Sequence, residues 1–202
     1  MRVTWTKDVS LEELRNLDTE LGAEFEIQID ATPRMYKGGT VLPSWVRFYA
    51  ENDWWINGLG AYAAIYVAEI VREAAKDTWR NRSKIVSAAV VAGGRVRQLA
   101  VALASLRKRL APETSIEIAL PFPDDYDGTI LELIGTDVDE LAVECAVFVH
   151  YLPALMNLIH KEGLSRGSVA TGIQLAMLDD LSLEVSWQDG SLKKQTRVLD
   201  YS

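Results

Sequence analysis

In LSLEVSWQDGSLKKQTRVL, residues 181–199, apolar and polar side chains alternate on both sides of Asp189-Gly190. Alternation sends one side of an extended chain into a core and the other into water. Asp-Gly between two such runs is the strongest short-range signal for a hairpin. Strands are therefore expected near 181–187 and 192–199. Gly172 to Leu178 supplies a third, which makes the C-terminal end a meander.

The same period recurs upstream. Residues 115–120 and 129–134 alternate on either side of Pro121-Phe122-Pro123 and the turn Asp124-Asp125-Tyr126-Asp127-Gly128. At the N-terminal end, strands are expected near 2–6 and 23–30, the latter with Phe25, Ile27 and Ile29 on one side. Between them lies a helix near 10–21, opened by the Ser10/Glu13 capping box and closed by Gly22. Residues 31–53, with Pro33, Gly38, Gly39 and Pro43, read as irregular.

Three further helices are expected. One runs near 54–91, capped by Asn52-Asp53 and broken at Gly93-Gly94. The second runs near 96–110 and is closed by Pro112. The third runs near 137–161, opened by Thr136-Asp137 with Glu140. With strands at both ends and no Pro, Gly or Ser linker, residues 1–202 read as a single α+β domain. It has a largely antiparallel sheet, helices packed on one face and a central helical excursion.

Composition narrows the function classes. The chain has 202 residues, 49% of them hydrophobic and 25% charged, and a formal net charge of −8. A chain of this length buries about 70% of its unfolded surface and needs no disulfide or structural metal. The acidic balance argues against whole-protein binding to nucleic acid or anionic membrane. Cys145 is the only cysteine and lies in an apolar run, which predicts a buried inert thiol. Met1 to Thr6 leads into no apolar leader stretch, so a cytoplasmic protein is expected. The two longest stretches without formal charge, 54–68 and 145–160, are shorter than the ~20 residues of a spanning helix, so no integral membrane span is expected.

Charge is unevenly distributed. From Arg72 to Arg109 there are ten bases against two acids, a local balance of +8; from Glu113 to Glu144 there are ten acids and no base, −10. Arg72, Lys76, Arg80 and Lys84 form one helical ridge. Glu69, Glu73 and Asp77 each precede a base by three, so this face neutralises itself. With no aromatic platform among those bases, nucleic acid is not an expected partner.

The aromatic residues point to contact. Trp45, Trp54 and Trp55 fall within eleven residues, and 56–68 is apolar nearly all round the helix, Asn57 excepted. Such a segment is buried on every side or meets a partner. Trp54, Trp55, Tyr62 and Tyr66 are the candidate partner-binding residues.

Chemical motifs are sparse. Asp124, Asp125 and Asp127 lack the spacing of a calcium loop, Gly93-Gly94 lacks a phosphate-loop signature, and His150 and His160 lie ten residues apart. No catalytic, cofactor-binding or metal-ligating residue is assigned. The expected function is non-catalytic: a homodimer, adaptor or inhibitor acting through protein–protein contact. The alternatives are an enzyme acting on a small phosphorylated or cationic substrate through Asp124, Asp125 and Asp127 or Arg95 and Arg97, and a peripheral membrane protein.

Overall fold

The computed structural model describes residues 1–30, 44–55, 94–120, 128–164 and 172–200. Among the described residues, eight strands form one sheet: β1 (Arg2–Trp5), β2 (Gln28–Ile29), β3 (Trp45–Tyr49), β4 (Ser115–Leu120), β5 (Thr129–Leu133), β6 (Ile173–Met177), β7 (Leu183–Gln188) and β8 (Lys194–Leu199). The helices are α1 (Leu11–Leu14), α2 (Leu17–Leu21), α3 (Asn52–Trp55), α4 (Gly94–Arg109) and α5 (Val138–Lys161). This is an α+β fold.

The sheet order is β2-β1-β3-β4-β5-β6-β7-β8. It is more mixed than alternation alone predicts. β1–β3, β4–β5, β6–β7 and β7–β8 are antiparallel, while β1–β2, β3–β4 and β5–β6 are parallel. Parallel neighbours need a crossover, and α5 lies between β5 and β6 in the chain just as α4 lies between β3 and β4. Strand alternation shows which residues face a core; the direction of the neighbouring strand is decided by the connection.

Register carries the core across the sheet. Val3, Phe48, Ile118, Leu131, Leu175 and Val185 stand in one row. They join one buried cluster with Leu99, Leu103 and Leu106 of α4 and Leu141, Phe148 and Leu152 of α5. α5 is the one described helix long and apolar enough to cross a bilayer, and 67% of its apolar window is buried inside this chain. Its apolar surface is used as a core helix uses it.

Three segments depart from expectation. The capping box at Ser10 forms, with Ser10 N–H donating to Glu13 and Glu13 N–H donating to Ser10 Oγ. The helix it opens is nevertheless split into α1 and α2 at Arg15-Asn16, because asparagine competes poorly as a helix-interior residue.

Residues 23–30 are not a strand. Ala23–Phe25 is a single 3₁₀ turn, Glu26 is left-handed with φ of 45°, and only Gln28–Ile29 pairs with β1. The Phe25 ring enters the core from that turn, so its spacing from Ile27 and Ile29 imitates a pleat without making one.

Residues 31–53 are not wholly irregular, since 45–49 is β3, inserted between β1 and β4 and buried along its length. A strand buried on both faces loses the alternation by which strands are read. The helix expected near 54–91 is described only at Asn52–Trp55; its remainder lies outside the described residues.

Candidate functional site

The sheet face opposite α4 and α5 carries a charged cluster. In-register pairing of β3 with β4 sets Arg47 beside Glu117. Arg47 Nε donates to Glu117 Oε2 at 2.5 Å, and Nη1 donates to the Tyr49 hydroxyl at 2.9 Å. The guanidinium also lies 4.2 Å from the centre of the Trp45 ring, and Arg2 covers Tyr49 at 5.2 Å. Ser115 Oγ donates to the other Glu117 oxygen. Burial pushes the Glu117 carboxyl above its usual range against the pull of Arg47, while Arg47 is held more firmly protonated than in water. Only 4% of Arg47 is exposed. A guanidinium committed to a carboxylate, a phenol and an indole bolts two strands together; to bind an external anion it would have to leave Glu117.

A second buried carboxylate sits where β5 meets α5. Glu144 Oε1 accepts the N–H groups of Gly135 at 2.9 Å and Ile134 at 3.2 Å, while Oε2 has no hydrogen-bond partner among the described residues. Arg107 of α4 donates to the Leu133 carbonyl beside it. Burial raises the Glu144 carboxyl to about 7, opposed by the two peptide donors and by Arg107. Gly135 permits the close turn: a Cβ there would meet Glu140 Cβ and Leu141 N at 2.9 Å. Asp137 Oδ1 caps α5 through the N–H groups of Asp139 and Glu140.

The sequence-derived contact residues are distributed differently. Trp55 is 0% exposed and meets Phe148 edge-on at 5.3 Å, inside the core. Trp54 is half-buried, touching Trp55 and Phe25. Tyr62, Tyr66, Asp124, Asp125 and Asp127 lie outside the described residues. Cys145 is buried, and burial pushes its thiol well above the ordinary range.

Arg97 forms an exposed pair with Asp139 at 3.6 Å, which sets it at the start of α5 beside an acid. Of the basic cluster closing α4, Arg109 is bound to Glu20 through two nitrogens and Arg107 is bound to Leu133, so two of its three cations hold the fold together. No group of three or more potential metal ligands occurs among the described residues.

The structure adds a surface that sequence reasoning passed over: the outer side of β8, on which no strand pairs among the described residues. Asp189 N–H donates to the Lys193 carbonyl at 3.0 Å, which sets the phase of the β7–β8 ladder. Antiparallel pairs alternate, so the bonded pairs are Trp187–Gln195, Val185–Arg197 and Leu183–Leu199. The N–H and C=O groups of Lys194, Thr196 and Val198 point away from β7. All three residues are exposed, as is Arg197. The signal present in the sequence is the polar run Lys193-Lys194-Gln195-Thr196-Arg197, since charged residues, lysine above all, are typical of edge strands.

Comparison with family models, with curated proteins and with solved structures found no match.

Proposed function

We propose that this chain is a non-catalytic binding protein that acts through protein–protein contact, with the outer edge of β8 as its contact surface. The observation that carries the reading is a six-residue strand that, among the described residues, pairs with another strand on one side only and turns the N–H and C=O groups of Lys194, Thr196 and Val198 outward, the Thr196 carbonyl accepting from Arg197 Nη1 at 3.1 Å. Unpaired edges recruit strands from other chains. The Arg47–Glu117 and Glu144 clusters support the same reading, because both are tied into the interior rather than presented to a substrate. Trp54, half-buried against Phe25 and Trp55 and far from β8 in the strand order, is the aromatic candidate for a separate contact. A lone buried thiol fits a reducing compartment, so a cytoplasmic setting is part of the proposal.

The test compares wild type with Thr196→Pro in co-purification from the protein's own cells and in light scattering of the pure chain. Proline at 196 removes an outward N–H and leaves the bonds to β7 in place. Loss of a reproducible partner, or of a dimer, in a variant with unchanged circular dichroism supports the proposal. An identical partner set and an identical mass in both proteins overturns it.

A further inference from the structure

We infer that the occupant of the β8 edge is an extended acidic segment of a partner protein, added as a ninth strand; this rests on the reading of β8 as the contact surface. The charge of the edge selects it. Lys193, Lys194 and Arg197 are all exposed along β8 and its turn, although the whole chain carries −8. β8 itself, Lys194–Leu199, holds two cations and no acid, and the acids near it lie in the flanking turn, on β7 or just past the strand. Asp189 accepts from Ser191, Lys193 N–H and Gln195 within its own turn, and Asp200 also has a partner. Glu184 stands beside Val198 on β7 and is only partly exposed.

Strand geometry then places the incoming side chains. Residues opposite Lys194, Thr196 and Val198 fall on one face of the extended sheet, and those opposite Gln195, Arg197 and Leu199 on the other. An acid on each face meets Lys194 on one and Arg197 on the other. Val198, 51% exposed, offers an apolar neighbour for a β-branched residue. A second copy of this chain is a poorer occupant. Two β8 edges meeting would gather Lys193, Lys194 and Arg197 of both copies on one ladder, and like charges across strands repel.

The probe is a fluorescein-labelled peptide about ten residues long, enough to cover a strand, of repeating Glu-Glu-Val-Val, which places glutamates on both faces. Its lysine–valine counterpart and a labelled single-stranded oligonucleotide serve as comparisons, all read by anisotropy on the full chain. Expected are binding of the glutamate peptide alone, slowed amide exchange at Lys194, Thr196 and Val198, and a loss of about tenfold or more in Lys194→Glu/Arg197→Glu. Thr196→Pro should weaken binding comparably. The doubly reversed variant changes only exposed side chains, so it keeps the test valid if the proline variant misfolds. Failure of the glutamate peptide to bind, equal binding of the lysine peptide, or tighter binding of the oligonucleotide overturns the inference. If the peptide fails while co-purification still depends on Thr196, the acidic occupant is wrong and the contact reading stands.

Discussion

Glu144 shows how much one side chain sets the response to pH. Its carboxyl titrates at about 7 in the fold, against an ordinary value of 4.5 in the unfolded chain. Between those values the folded state keeps a proton that the unfolded state has released. Stability from this group is therefore present below about pH 4.5 and is lost as pH rises toward 7, by up to about 3 kcal/mol. Glu144→Gln retains an acceptor for the Ile134 and Gly135 N–H groups and cannot ionise. Melting temperatures measured from pH 4 to 8 should show wild type falling relative to the variant as pH rises; parallel curves would refute the assignment. The sequence shows a glutamate in an apolar helix, but not the two peptide donors that hold it there, which come from a turn nine and ten residues upstream.

At the scale of elements, legibility followed exposure. β6 and β7, each with one wet face, announced themselves by alternation. The turn between β7 and β8 is longer than the two-residue form that Asp-Gly favours: Asp189 Oδ1 gathers Ser191 and Lys193 N–H, and Leu192 takes φ of 62°. β3 was invisible because it is buried along its whole length, and its charged residue, Arg47, is silenced by Glu117 one strand away.

Trp55 was legible as important but not as core, since a tryptophan at a helix start suits either place. Its burial on Phe148 makes a definite demand. Trp55→Ala should lower the unfolding free energy by about 3–5 kcal/mol, read from the shift in urea midpoint. Trp54→Ala, with part of its ring already in water, should cost clearly less. Equal losses would mean that Trp55 does not have the core role its burial implies.

For the whole molecule, a single eight-stranded sheet links residues from both ends of the sequence. The parallel pairings were beyond the reach of sequence patterns because they depend on how long connections cross, not on local side chains. The one-sided nature of β8 has a consequence for the strand behind it. β7 carries Leu183, Val185 and Trp187, all buried, whereas β8 is mostly exposed and basic. β8 is thus a guard rail that keeps neighbouring chains from an aggregation-prone strand. Cleavage after Gln188 would remove the guard and leave much of the core in place. Such a truncated chain should precipitate or form fibres that bind thioflavin while the full chain stays clear, and a truncated chain that remains monomeric would show that β7 needs no such protection. A protease acting on the exposed 189–193 turn would convert a contained molecule into a seeding one.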